Sequence, residues 1–251
     1  MTLPWQQVED AWVLTPPQPK AVIHFLGGAF FAAAPQVAYR RLLEYLASQG
    51  YVIVATPFVN TFDHTDIARA AYRGFRKVRS KLFLDYFPTY GMGHSMGCKI
   101  HLLICSYAQP TRAGNIFLAY NNYSADRSIP FFRELSGTLP ELQTLEFTPS
   151  PAETCQLVAD RYTIARNLLI RFEDDGIDEI LDLAEQLKTR FPKTMAVKVL
   201  PGDHLTALGL EVSWQAGEVF TPIDAIAQWV RQNLQKNHQP LEEVLCQWLT
   251  A

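Results

Sequence analysis

Three short stretches of this 251-residue chain carry side chains that could do chemistry together. The first is Gly93-His94-Ser95-Met96-Gly97. A strand-like run enters it from Pro88, and the apolar helical pattern Ile100, Leu103, Ile104 leaves it, so Ser95 falls on a tight strand-to-helix turn. A serine held on such an elbow needs glycine two residues to either side, because a Cβ there would collide as strand and helix close on each other. Gly93 and Gly97 meet that demand, and the hydroxyl is lifted clear of the sheet beside the unpaired N–H groups of the following helix. The second stretch is Glu173-Asp174-Asp175-Gly176-Ile177-Asp178 and the third is Gly202-Asp203-His204. A hydroxyl, a carboxylate and an imidazole are the parts of nucleophilic catalysis: His204 takes the Ser95 proton, and an aspartate fixes the imidazole tautomer. Gly91 and Gly93 also fit the start of a dinucleotide-binding glycine loop. The third position of that fingerprint is Met96, and no acidic residue follows about twenty positions on, so this alternative is set aside.

The elements that must position these residues read as alternating strands and helices. Ala21–Leu26 is a nearly continuous apolar run that opens into Gly27-Gly28-Ala29, and Tyr51–Ala55 is a second buried strand stopped by Pro57. Between them a helix is expected from Pro35 through Tyr39, Leu42, Leu43 and Leu46, closed by Gly50. Residues 1–20 suggest an edge strand or hairpin. A helix from Asp63 to Leu82 follows, then further strands at Asn115–Tyr120, Asn167–Phe172 and Met195–Leu200. The helix after the acidic run should bury Ile177, Ile180, Leu181, Ala184 and Leu187 on one face. Thr221-Pro222 is expected to open a helix burying Ile223, Ile226, Ala227, Val230 and Leu234, and a short helix spans Leu241 to Leu249. Residues 121–162 interrupt the alternation. Capping boxes at Thr138/Glu141 and Ser150/Glu153, with the apolar Phe131, Phe132, Leu139 and Phe147, read equally as a helical lid and as packing onto the sheet.

With 48% hydrophobic and 19% charged residues the composition is that of an ordinary globular protein, long enough for one α/β domain over 1–251. No signal-peptide pattern opens the chain and no apolar run reaches membrane-spanning length, so a soluble, cytoplasmic protein is expected. Cys98, Cys105, Cys155 and Cys246 lack paired or metal-ligand spacing and read as buried, reduced thiols. A net charge of −3 gives no reason to expect a nucleic-acid partner. The dense cations Arg69, Arg73, Arg76, Lys77, Arg79 and Lys81 read first as a solvated helix face and leave peripheral contact with an anionic membrane open. His24, His94 and His101 read as packed or hydrogen-bonded rather than as participants. His64 and His238 are expected to face water, and no metal-ligand set is present. Nothing in the pattern specifies an oligomeric state.

Ligand chemistry in open parallel sheets gathers outside the carboxyl ends of the strands, where all three stretches fall. The glycine-flanked elbow, the order Ser, Asp, His and the early glycine turn together resemble the α/β-hydrolase superfamily over nearly the whole chain. The resemblance implies an α/β-hydrolase fold: a mostly parallel sheet, helices on both faces and a lid insertion. It also implies a serine hydrolase acting without cofactor or metal on a small or apolar ester or thioester. Ser95 becomes the nucleophile and His204 the base. Asp175 is preferred as the acid, with Asp174 and Asp178 beside it as alternatives. The oxyanion donors become the N–H of Met96 and those of Gly28 and Ala29. Where the superfamily often has His-Gly-Gly, this chain has Leu26-Gly27-Gly28, which removes a side chain that anchors the loop. Alternatives within the fold are a perhydrolase, a carbon–carbon hydrolase and a non-catalytic binding protein. The finer pattern Gly-His-Ser-Met-Gly-Cys-Lys, Asp-Asp-Gly-Ile-Asp-Glu and Gly-Asp-His-Leu-Thr resembles an uncharacterised group of cyanobacterial and plant-plastid proteins.

Overall fold

The computed structural model describes residues 3–128, 146–209 and 238–251. The chain runs β1 (Gln6–Val8), β2 (Ala11–Leu14), β3 (Ala21–Leu26), α1 (Pro35–Ala38), α2 (Arg40–Ser48), β4 (Tyr51–Ala55), α3 (His64–Lys81), β5 (Thr89–His94) and α4 (Met96–Tyr107). It continues through β6 (Gly114–Leu118), α5 (Ala125–Ser128), α6 (Pro151–Arg161), β7 (Asn167–Phe172), α7 (Ile180–Lys188), β8 (Met195–Leu200) and α8 (Gln239–Thr250). One eight-stranded sheet is formed in the order β1-β2-β4-β3-β5-β6-β7-β8. The N-terminal β1–β2 hairpin is antiparallel to its neighbours, and β4, β3, β5, β6, β7 and β8 are parallel.

Central strands covered on both faces can be apolar at every position, and β3, β4, β5 and β6 are buried throughout. Side chains still alternate between layers. Ile23, Phe25 and Ile53 join a core with Leu42, Leu43 and Leu46 of α2 and Leu241 and Leu245 of α8. Val22, Val52 and Val54 point the other way, onto Phe75 and Val78 of α3. Between the sheet and its neighbouring helices, α4 is buried from Met96 to Ser106, as the helix behind a central elbow must be.

Local signals set the helix boundaries. Asp63 caps α3 by accepting from the Asp66 N–H at 2.8 Å, and Ser150 with Glu153 forms the expected capping box of α6. On α3 the cations are exposed except for the half-buried Arg79, and Arg69, Arg79 and Lys81 pair with Asp66, Asp85 and Glu9. Surface pairs of this kind contribute little to stability.

Several expectations need correction. The helix expected from Pro35 to Gly50 is broken at Tyr39, whose φ/ψ of −113°/18° separates α1 from α2. Helix α7 begins only at Ile180, because Asp178 Oδ1 accepts from the Ile180 N–H at 3.1 Å. That start sets the phase, so Ile180, Leu183, Ala184 and Leu187 are buried whereas Ile177 and Leu181 are exposed. His64 and His238 are buried rather than in water. His64 is covered because the segment returning from the 121–162 insertion lays Phe147 on its ring, with centroids 4.3 Å apart. Phe147 is itself buried. All four cysteines are free, but Cys155 is exposed and Cys246 half-buried. The expectations for Phe131, Phe132, Leu139, Thr138 and Glu141, and for the Thr221–Leu234 helix, fall outside the described residues.

Candidate active site

Ser95 is the hinge between β5 and α4. Its backbone takes φ 53° and ψ −121°, a conformation that costs a non-glycine residue roughly 1–3 kcal/mol and persists only where surrounding contacts impose it. Those contacts are visible: Ser95 N–H donates to Leu118 O at 2.9 Å, and Cys98 N–H donates to Ser95 O at 3.0 Å. A Cβ on Gly93 would lie 2.6 Å from the Gly97 carbonyl, and one on Gly97 would lie 2.1 Å from Leu26 O. Both glycines are therefore required by close backbone approach rather than by a turn type.

The loops after β7 and β8 bring the other two groups to the same edge. Asp174 N–H donates to Gly202 O at 2.8 Å, tying the acidic run to the histidine turn. His204 Nε2 lies 3.0 Å from Ser95 Oγ, and His204 Nδ1 lies 2.8 Å from Asp175 Oδ2. A carboxylate can only accept, so Nδ1 carries the proton and Nε2 is left to accept from the serine hydroxyl. The Asp175 side chain is fully buried, and its Oδ1 accepts from Ile177 N–H at 2.9 Å. Burial alone would raise its pKa. Hydrogen bonding and charge from His204, with the Ile177 N–H, outweigh that and hold the carboxyl below the usual aspartate range.

The three candidate acids separate by what they touch. Asp174 is exposed. Asp178 accepts from the Ile180 N–H at the start of α7 and stands 3.4 Å from Arg171 Nη2. Only Asp175 reaches His204 among the three.

Around Ser95 the possible oxyanion donors differ. Met96 is the first residue of α4, so its N–H has no intrahelical acceptor. Gly28 N–H is already engaged: it donates to the Tyr39 hydroxyl at 2.7 Å. Sequence reasoning passed over Tyr39 except as a packing residue and read His94 as packed or hydrogen-bonded, without a partner. Their hydroxyl and Nδ1 meet at 2.8 Å, while His94 Nε2 lies 2.7 Å from His204 O. No local signal marks this, since Tyr39 and His94 are 55 residues apart.

Met96 packs in an apolar cluster with Ile67, Ala68 and Ile100, against which Ala29, Phe58 and Leu157 rest. One turn into α4, Lys99 is buried. Its Nζ donates to Pro149 O at 3.1 Å, and burial lowers its pKa to about 8. Among the described residues, no group of three or more His, Cys, Asp or Glu side chains is placed to hold a metal ion, and no helix is long and apolar enough to cross a membrane.

A parallel sheet of this order, with a strained serine between its central strand and helix, is the α/β-hydrolase fold, and comparison with solved structures agrees. An esterase from Pyrococcus furiosus superposes with a TM-score of 0.57 at 13% identity, covering 99% of this chain and 90% of that one. The thioesterase domain from the curacin biosynthetic pathway gives 0.53 at 13% identity, covering 83% and 95%. A thermostable carboxyl esterase from Bacillus coagulans gives 0.54 at 13% identity, covering 93% and 97%. At such identities the likeness speaks for the fold. By sequence, residues 4–251 match the family described as "Protein of unknown function (DUF1350)", and the chain belongs to that family. No curated protein matches it.

Proposed function

We propose that this protein is a serine hydrolase that cleaves a carboxylic ester or thioester through an acyl-enzyme on Ser95. The observation that carries the reading is the continuous hydrogen-bond chain Ser95 Oγ, His204, Asp175, at 3.0 and 2.8 Å. In the first half-reaction Ser95 Oγ attacks the carbonyl carbon while its proton passes to His204 Nε2. Negative charge gathers on the former carbonyl oxygen, where the N–H of Met96 and that of Ala29 serve as donors. Gly28, whose own N–H is held by Tyr39, acts as part of the loop that sets Ala29. The tetrahedral species collapses, the carbon–oxygen or carbon–sulfur bond breaks, and the imidazolium returns the proton to the alkoxide or thiolate. Water then attacks the acyl-enzyme, giving its proton to His204. Collapse releases the carboxylic acid and restores the serine. Asp175 stays ionised throughout, which its lowered pKa favours.

Two further points support an apolar acyl group. The Met96, Ile67 and Phe58 cluster lies beside the serine, and apolar side chains enter the chain within the 121–162 insertion. We read that insertion as a lid over the site, in a single domain over 1–251. The triad needs no metal or cofactor for this chemistry. The solved esterases and the thioesterase that share the fold are consistent with the same reaction class.

The test is trapping. Incubation with p-nitrophenyl esters or acyl thioesters of graded chain length, in hydroxylamine, should yield the acyl hydroxamate with native protein well above the rate without protein, and with Ser95→Ala only at that uncatalysed rate. Full turnover by Ser95→Ala on every accepted ester would overturn the proposal.

A further inference from the structure

The glycine loop after β3 should be poorly secured, because Leu26 stands where an anchoring histidine is often found. Its own backbone offers Phe31 N–H to Gly28 O at 2.9 Å. The structure ties it down from outside. Gly28 N–H, the Tyr39 hydroxyl, the His94 ring and the His204 carbonyl follow one another at 2.7, 2.8 and 2.7 Å. We propose that Tyr39 and His94 are positioning residues, which by this chain hold both the oxyanion loop and the base-bearing loop against the serine elbow. The proposal rests on reading Ser95, Asp175 and His204 as the catalytic groups.

The direction of every bond follows from what each atom can do. The His204 carbonyl can only accept, so His94 Nε2 must carry a proton. In a neutral ring Nδ1 is then an acceptor, and the proton between it and Tyr39 belongs to the hydroxyl. The Tyr39 oxygen in turn receives Gly28 N–H. Each donor has one acceptor, and the two side chains that link the loops are closed to water that could replace a bond: Tyr39 is fully buried and His94 is 1% exposed. A buried hydroxyl or imidazole left unpaired is costly, so the four groups hold one arrangement. Burial, with His204 close by, holds the His94 pKa down to about 3, which keeps the ring in the neutral form that the chain requires. Space is equally closed. A Cβ on Gly28 would stand 3.1 Å from His94 Nδ1 and 3.3 Å from Ser95 Cβ, so the loop rests directly on the elbow.

The outcome is a base held at two points. Asp175 fixes the His204 ring, and His94 fixes its backbone. Because His94 precedes Ser95 in the chain, displacement of the histidine turn relative to the nucleophile is resisted by the nucleophile's own neighbour. The same ring reaches the oxyanion loop through Tyr39, so nucleophile, base and donor loop share one reference.

Three variants dissect the chain. Tyr39→Phe removes the hydroxyl and keeps the ring that packs on Phe25. His94→Asn keeps an acceptor toward Tyr39 but loses the donor to His204, and His94→Gln does the reverse. The readouts are the rate of fluorophosphonate labelling, kcat and KM on an accepted ester, and 15N–1H imidazole spectra. Native protein should show His94 as the Nε2–H tautomer with a slowly exchanging ring proton, unchanged down to pH 5. Tyr39→Phe and His94→Asn should slow labelling and lower kcat by about 10- to 100-fold with KM within about twofold, because reacting groups displaced by about an ångström lose that much. His94→Gln should recover part of the loss that His94→Asn suffers at the His204 contact. An Nδ1–H tautomer in native protein, or labelling within about twofold of native in both Tyr39→Phe and His94→Asn, overturns the proposal. Native protein that shows the expected tautomer but takes no label removes the hydrolase reading instead, and reduces the chain to a structural tether.

Discussion

Two pairs of histidines lie against the same sheet at nearly the same spacing, and only one pair includes a ring set between a carboxylate and a hydroxyl. His94 and His204 stand at the carboxyl ends of the strands with ring centroids 5.2 Å apart. His24 of β3 and His101 of α4 lie deeper, 5.0 Å apart and both fully buried. In the deep pair, Arg112 occupies the free lone pairs, with Nη1 3.0 Å from His101 Nδ1 and Nη2 3.4 Å from His24 Nδ1. Their other nitrogens are taken by Met92 O at 3.0 Å and Thr56 Oγ1 at 3.2 Å. Burial first, and the guanidinium as well, push both pKa values well below the ordinary histidine value. Such rings cannot accept a proton. His204 instead has a carboxylate behind one nitrogen and a hydroxyl before the other. His24 and His101 are fully buried beside a cation, whereas His204 is partly exposed beside a carboxylate, and that difference sets the proposed base apart from the structural links.

The largest effect should come from removing that difference in charge. Asp175→Asn leaves a hydrogen-bonding side chain of the same shape but favours the wrong His204 tautomer, so kcat should fall about 10⁴-fold with the fold intact. Measurement on an ester accepted by native protein checks this. Asp174→Asn and Asp178→Asn are the controls, and kcat within a few-fold of native is expected for each. A large loss in either would reassign the acid.

In the deep region the expected loss is of stability rather than rate. Arg112→Met strands the Nδ1 atoms of His24 and His101 and the Asn115 Oδ1 that Arg112 now reaches at 2.9 Å. A shift of about 3 kcal/mol in urea unfolding is expected, since each buried group left unpaired costs about 1–3 kcal/mol. The turnover of the folded fraction should not change.

Acid should then act on both regions. His64 and His94 have folded pKa values lowered to about 3, and those of His24 and His101 are also depressed, whereas the unfolded rings titrate near 6.5. Stability from keeping these rings neutral is fully present above pH 6.5 and falls as pH drops below it, because the unfolded chain binds protons that the native rings refuse. The loss amounts to about 1.4 kcal/mol per ring at pH 5.5 and levels off near the folded pKa. Urea midpoints across pH 7.5 to 5 measure it. A midpoint independent of pH over that range would show that the rings are not held neutral.

Much of the site was legible because local backbone demands leave marks in sequence. Gly93 and Gly97 are forced by contacts of 2.6 and 2.1 Å, and the fully apolar runs of β3 and β4 follow from burial on two faces. The order Ser95, Asp175, His204 was readable because the parallel strands put their carboxyl ends on one edge. Asp175 was already preferred over Asp174 and Asp178 from its place after β7, but its contact with His204 depends on which carboxylate the β7 loop turns inward, and that has no local mark in the sequence. Tyr39 left no mark, because its apolar helix spacing serves the core equally well with or without the hydroxyl bond. His64 was misjudged because the cover comes from Phe147, far away in sequence. Ile177 and Leu181 were misjudged because α7 begins only at Ile180, where the Asp178 side chain takes the first N–H, rather than where the apolar period starts.

The most direct test of an activated serine is intact-mass analysis after exposure to a fluorophosphonate, with Ser95→Ala and His204→Ala alongside. One adduct on the native protein, absent from both variants, is the predicted result. A folded native protein that stays unlabelled, or a Ser95→Ala variant that labels as fully as native, would contradict the account.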